Sequence, residues 1–390
     1  MFLDLQDQDK IEYYKKMLVA IGSLSRLFSE SDNPFIQYRV AENLFCKAFE
    51  AENLSRTDCS ADASKNRIGF GIKTFLENNR ATMQKVAEFN GEHNLFRNLE
   101  GAEKIKKVSE LRNERIETTK RIFGLERMIY HCVTRKRNKI LVYEIPMDLV
   151  NINNITNVVV RQNIIGFKDG INEYSFNVTK STLYKRFSLS GAILEFDVSI
   201  LDDPFDTLER FIAEERAEEL IGAGADSERE HIFLPLYSIK HGEKVVMSKS
   251  GLNQWNAGGR KRDLSEVYIP IPAVVRNKFP DFFPPRDTHF TLLLPNKDEM
   301  IAKVCQDGSK ALMSRHNADL GQWLLRGVLN LQEGELLTYE KLQKIGLDSV
   351  VIYKNGEGKY DIDFTKEGSY EAFMAGSDID DIGEDNGVED

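Results

Sequence analysis

SKSGLNQWNAGGRKRD (Ser248–Asp263) and KVCQDGSKALMS (Lys303–Ser314) lie on either side of YIPIPAVVRNKFPDFFPPRD (Tyr268–Asp287), and the reading of the chain turns on them. Both outer stretches are loop-like, rich in Gly, Ser, Asn and Lys. The first carries Asn253, Gln254, Asn256, Arg260, Lys261 and Arg262, side chains that hydrogen-bond base edges and phosphates. Gly251, Gly258 and Gly259 let its backbone approach a duplex closely. Trp255 serves either as an aromatic against nucleic acid or as the anchor of the loop. The second offers Gln306, Asp307, Ser309, Lys310, Ser314 and Arg315, a mixed donor and acceptor set in which Asp307 can accept from a cytosine amino group. Around them HIFLPLYSI, EVYIPIP, FTLLLP, EMIAKVC, SVVIYK and KYDIDF read as short strands, with short helices near 273–279 and 318–330. Many short strands and few helices predict a small open barrel over residues 231–370.

The order of these segments resembles the C-terminal DNA-recognition domain of NgoFVII- and BfiI-type restriction enzymes, over residues 232–365. The resemblance implies a mainly β DNA-binding pseudobarrel that clasps the major groove with two projecting loops. It does not extend to the N-terminal half. Those enzymes carry a phospholipase-D-like nuclease with an HxK motif, and none of the six histidines here is followed by Lys two positions later.

The N-terminal half alternates helix and strand. Residues 8–30 and 34–53 read as helices, and in the second Phe35, Tyr38, Ala41, Leu44, Phe45 and Phe49 recur at helical spacing behind Pro34. RIGFGIKTF reads as a strand, residues 78–130 as largely helical, and KILVYEIPM and NVVVRQNIIGF as strands. A hairpin is expected around Asp169-Gly170. This order predicts an α/β or α+β domain on a mixed sheet over residues 1–200. An acidic helical linker over 201–230 and a disordered acidic tail over 371–390 complete the division.

Within ENLSRTDCSADASKNRIGFGIKTF (Glu52–Phe75), Asp58 and Asp62 are four residues apart and Lys73 ends the apolar strand. Glu42 projects from the preceding helix. Two or three carboxylates can hold a divalent cation at a scissile phosphate, and a nearby lysine can orient water or stabilise charge. Carboxylates with phosphate oxygens suit Mg²⁺. The order of helix acid, strand acid and strand lysine resembles the PD-(D/E)XK nuclease core, over residues 34–90 with strands up to about 190. It departs at Gly71, where that family carries an acid, and Glu42 or Glu144 is expected to fill the place. The expected catalytic set is Asp62, Lys73 and Glu42, with Asp62, Glu42 and Asp58 as metal ligands. Gln84, placed on a helix in QKVAEFN, and Glu144 are possible additions. His131, beside a basic run, competes as a base or phosphate contact. The runs with Arg112, Arg115, Arg121 and Arg135–Lys139 are equally readable as a phosphate-lined groove or as solvated helix faces.

The net charge of −10 opposes nucleic-acid binding only until its distribution is read. Residues 201–230 carry −8 and residues 377–390 carry −7, which leaves +5 on the rest. No apolar run reaches the ~18 residues of a membrane span, the first residues are acidic where a signal peptide is basic, and the four scattered cysteines show no zinc spacing. A cytoplasmic protein with free thiols is expected. Three functional readings follow: a type II restriction endonuclease cutting double-stranded DNA as a homodimer, a non-catalytic sequence-specific DNA-binding protein, and an endonuclease dependent on DNA modification.

Overall fold

The computed structural model describes residues 1–54, 59–77, 81–211 and 229–376. The chain divides into two compact units, Met1–Lys120 with Leu125–Glu228, and Arg121–Gly124 with Arg229–Asp390.

The first unit is built on two sheets. Strands β1 (Glu52–Asn53), β2 (Ala63–Lys65), β3 (Ile68–Leu76), β5 (Arg127–Lys136), β6 (Lys139–Pro146) and β11 (Leu194–Asp197) form a sheet in that order. All its pairs are antiparallel except β3 with β5. Parallel neighbours need a long crossover, and this one contains β4 (Ala81–Glu88), a turn of helix α3 (His93–Phe96) and the helix α4 (Gly101–Phe123). Helices α1 (Gln8–Ser23) and α2 (Tyr38–Phe49) cover one face of the sheet. The Gln37 side chain accepts the Val40 N–H at the start of α2, and Glu50 ends it in the left-handed region. The apolar stripe predicted on α2 buries Ala41, Leu44, Phe45 and Phe49 against Phe70, Ile72, Val133 and Val142 of the sheet.

The second sheet runs β4-β10-β9-β8-β7, with β7 Thr156–Arg161, β8 Ile164–Lys168, β9 Glu173–Asn177 and β10 Thr182–Ser188. Helix α4 buries Ile105, Val108 and Leu111 against Phe167, Tyr174, Phe176 and Leu183 of this sheet. The hairpin expected at Asp169-Gly170 joins β8 to β9. Asp169 builds that turn, its Oδ1 accepting the Ile171 (3.0 Å) and Asn172 (2.6 Å) N–H groups. One expectation fails here. Residues 78–130 do carry α3 and α4, but Gln84 and its neighbours form a strand, because β4 pairs along its length with β10, about a hundred residues on.

The second unit is a seven-stranded sheet ordered β12-β19-β20-β16-β17-β18-β15, whose end strands β12 (His231–Pro235) and β15 (Ile269–Pro270) approach each other. The others are β16 (His289–Leu293), β17 (Glu299–Cys305), β18 (Ala311–Ser314), β19 (Leu347–Lys354) and β20 (Lys359–Lys366). The result is a nearly closed pseudobarrel, mainly β as the strand spacing predicts. A separate hairpin, β13 (Ser238–Lys240) with β14 (Glu243–Val245), lies beside it.

In the acidic junction, Phe205–Phe211 is helical. The remainder of the expected linker, and residues 377–390 of the expected tail, lie outside the described residues. The tail was placed to begin at residue 371, yet Ser369–Ala375 is a helix. Glu371 holds it down by accepting the Tyr237 hydroxyl and by a 2.7 Å ion pair with Lys244. Among the described residues no helix is long and apolar enough to cross a membrane, and none of the four cysteines is in a disulfide.

Candidate functional site

Asp62 sits where β2 begins. Its N–H donates to Phe70 O (2.7 Å), its C=O accepts the Leu54 N–H (2.9 Å), and its carboxylate Oδ2 accepts the Ile72 N–H (2.6 Å). One carboxylate oxygen therefore stands in for a strand partner of β3, which locks the side chain beside Lys73. Burial pushes the Asp62 carboxyl above its usual range, opposed by Lys73, the Ile72 N–H and Arg39. Glu42, on α2, is buried and meets Arg39 at 3.3 Å. Cys46, one turn further along α2, lies in the field of both acids. Its thiol is pushed up to about 12 by burial and then by Glu42, Asp62 and Glu52. Asp62 thus lies in the field of Lys73 and Arg39, and Glu42 pairs with that same Arg39.

The other expected members separate from this cluster. Asp58 lies outside the described residues. Gly71 is buried with no room for a side chain, since a Cβ there would stand 2.5 Å from Met147 Cε and 3.0 Å from the Tyr130 ring. Glu144 does not fill the vacant acid position. Its carboxylate accepts the N–H groups of Phe2 (2.6 Å) and Leu3 (3.1 Å) and lies 3.8 Å from His131 Nδ1, so it anchors the start of the chain. His131 is wholly buried, with Nε2 2.9 Å from the Tyr14 hydroxyl and its ring against Phe45. Gln84 belongs to the second sheet, opposite Lys185. Among the described residues no three His, Cys, Asp or Glu side chains are grouped to hold a metal ion.

Three arginines of the basic runs are taken up by the first unit itself. Arg112 is buried and donates to Asp148 O (2.8 Å) and the Tyr130 hydroxyl (3.3 Å). Arg115 pairs with buried Glu92, and Arg135 reaches Pro34 O (3.4 Å). Their long stems and planar heads are spent inside the fold.

In the second unit both loops are rooted on one edge of the pseudobarrel. Tyr268 N–H donates to Gly251 O, Ile269 and Pro270 pair with Leu312 and Ala311, and Ile271 N–H donates to Lys310 O. Along the first loop, Gly251–Asn256 winds into 3₁₀ turns. Asn253 is fully buried and spends its amide on the backbone, donating to Met247 O (3.1 Å) and Leu337 O (2.9 Å) and accepting the Leu337 N–H (2.9 Å). No group of it is left for a base. Trp255 is half-buried, with a buried indole N–H that has no partner among the described residues, the placement of a loop anchor. Asn256 donates to Ser248 O (3.0 Å). Arg262 donates to the carbonyls of Ala257 (2.8 Å) and Gly258 (3.1 Å), which ties the glycine turn to itself.

Glu266, which the sequence did not single out, organises this loop. Its buried carboxylate accepts Gln254 (2.9 Å) and Arg260, and Arg262 Nε lies 3.5 Å away. An acid four residues beyond a basic run was the available signal. Arg260 keeps 56% of its side chain exposed, and Lys261 and Asn256 are exposed as well. In the second loop Asp307, Lys310 and Arg315 are exposed, and Gln306 and Ser309 half-exposed. Ser314 is buried, donating to His316 O (2.6 Å) and accepting the Leu320 N–H (3.0 Å). The face open to a ligand is therefore narrower than the residue types suggest. It comprises Asn256, Arg260, Lys261, Gln306, Asp307, Ser309, Lys310 and Arg315.

Residues 228–356 match the family model of the NgoFVII C-terminal B3-like DNA-binding domain. The second unit is a restriction-enzyme-type DNA-binding domain. In this B3-like domain the two loops on the β15–β18 edge carry the exposed donors and acceptors that base and phosphate contacts require. No curated protein matches the chain.

Proposed function

We propose that the chain is a type II restriction endonuclease, in which the B3-like domain selects a short sequence and the first unit hydrolyses phosphodiester bonds of double-stranded DNA. The observation that carries this reading is the restriction-enzyme-type domain at residues 228–356, joined to a unit in which Asp62 lies in the field of Lys73, and Glu42 and Asp62 both act on Cys46. Glu42 and Asp62 would hold Mg²⁺, which when bound would supply neutralisation of phosphate charge and activation of water. Asp62 is fixed for this by its bond to the Ile72 N–H, and burial raises its carboxyl against the opposing charges of Lys73 and Arg39. Lys73 places its amine beside Asp62, where it stabilises charge at the scissile phosphate. Cutting both strands needs two such centres or two successive nicks, and a homodimer is the expected working species.

The test is incubation of the purified chain with methylated and unmethylated plasmid, with and without Mg²⁺. Discrete fragments from unmethylated plasmid in Mg²⁺ alone are expected, and Asp62→Asn and Lys73→Met should each abolish them while specific binding persists. Sequence-specific binding without cutting in any lane would establish a non-catalytic DNA-binding protein instead, a reading that the glycine at position 71 favours. Cutting confined to the methylated plasmid would establish modification dependence.

A further inference from the structure

Lys185 projects from β10 toward the first sheet. Its side chain is 2% exposed, and its amine has no hydrogen-bond partner among the described residues. The amine lies 5.5 Å from the ring centroids of both Tyr130 and Phe187. Arg112 is buried with it and bonds only to neutral groups, a carbonyl and a hydroxyl. Neither cation forms an ion pair among the described residues. Asp169, the acid of the neighbouring turn, has both carboxylate oxygens taken by backbone N–H groups, Oδ2 accepting from Asn151 at 3.2 Å. Burial, then Arg112, drives the Lys185 amine below its usual range. A buried charge without a partner is costly, and two of like sign are costlier.

Lys185 also lies on the wall of a cavity of about 520 Å³ beside β8, β9 and β10. That wall carries two further cations, Lys168 and Arg186, but Glu173 faces both, at 3.9 and 3.1 Å. It carries a second orphaned donor as well, the buried Asn172 Nδ2. Both residues line the cavity, and neither the buried ammonium nor the buried amide N–H has an acceptor among the described residues, a need that a ligand with several acceptor oxygens and negative charge would meet.

We propose that this cavity binds a phosphate-class oxyanion, held by Lys185 and Asn172. The anion offsets the buried positive charge and is either free phosphate or a phosphate of a nucleic-acid backbone. The assignment does not depend on the nuclease reading, and its tests do not measure cleavage.

Calorimetric unfolding of the full chain, with chloride replaced by inorganic phosphate at constant ionic strength, should show a saturable rise. A rise of roughly 3–6 °C is expected at ten times the dissociation constant. Lys185→Met removes the charge at similar volume. It should unfold at a higher temperature than the wild type without phosphate, and lose the phosphate response. Asn172→Ala keeps the lysine and should weaken the response several-fold, which preserves the test if the methionine variant does not fold. A wild type without a saturable rise, or variants that respond as it does, overturns the proposal. Phosphorus NMR separates the sources. Inorganic phosphate broadened by the protein, and sharpened again by a short duplex, marks a backbone phosphate as the occupant. Phosphate that stays broad in the presence of the duplex marks the free anion.

Discussion

Asn253 and Arg260 stand seven residues apart in one loop and do opposite work. Asn253 is buried and fully satisfied by backbone, whereas more than half of the Arg260 side chain faces solvent. Replacing Asn253 by Ala strands the Leu337 N–H and two carbonyls, each costing about 1–3 kcal/mol when buried. The expected outcome is a lower unfolding temperature of the B3-like domain, measured by calorimetry, with DNA affinity falling on every sequence alike. Arg260→Ala should leave the fold intact and cost about 1–3 kcal/mol on the cognate duplex, with much less lost on random DNA. Titrations on cognate and scrambled duplexes at two salt concentrations check this. If Arg260→Ala loses both affinities in parallel, the arginine holds phosphate and reads nothing. Asp62 allows a test by pH. Its carboxyl is raised in the folded chain, so ionisation opposes folding and that cost appears as pH rises above the ordinary carboxyl range. Asp62→Asn should therefore raise the unfolding temperature at pH 7, with the gain shrinking toward pH 4. An equal gain at both would show that the acid is not buried as described.

At the scale of elements, β3 shows how a neighbour vetoes a motif. A Cβ at the position two before Lys73 would stand 2.5 Å from Met147 Cε and 3.0 Å from the Tyr130 ring, so an acid there forces both neighbours to shift. Gly71→Glu should destabilise the chain by about 1–3 kcal/mol through overpacking, more if the charge stays buried, and should not raise nuclease activity. A denaturant titration with a parallel cleavage assay decides it. Glu144 belongs to the same lesson. It was readable as a catalytic carboxylate on a strand, but it receives the N–H groups of Phe2 and Leu3, and the Phe2 ring packs on Phe45, Phe49 and Phe70. Glu144→Gln should loosen that segment and lower the unfolding temperature, while the cleavage rate per folded molecule holds. Pairing likewise made β4 a strand, since the helical reading of ATMQKVAE rested on spacing alone and β10 supplied the partner.

At the scale of the whole molecule, the B3-like domain has its own nearly closed sheet and is expected to fold alone. A fragment covering residues 229–376 should unfold cooperatively and keep its preference for the cognate duplex. An insoluble fragment, or one that binds all duplexes equally, would count against a self-sufficient reading domain. What the sequence by itself determined were the features written in local pattern. These are the amphipathic α2, the Asp169-Gly170 turn, the short strands of the second half and the donor-rich character of its two loops. They depend on residues a few positions apart, and periodicity reports such neighbours directly. Only the tertiary structure decided which of those donors remain free. Asn253 is claimed by Leu337, 84 residues away, and Glu144 by the first residues of the chain, 142 residues away. Arg112 is claimed by Tyr130 and Asp148 on other elements. A side chain's chemistry is local, but whether its polar group meets solvent or another backbone is set by what the fold brings against it.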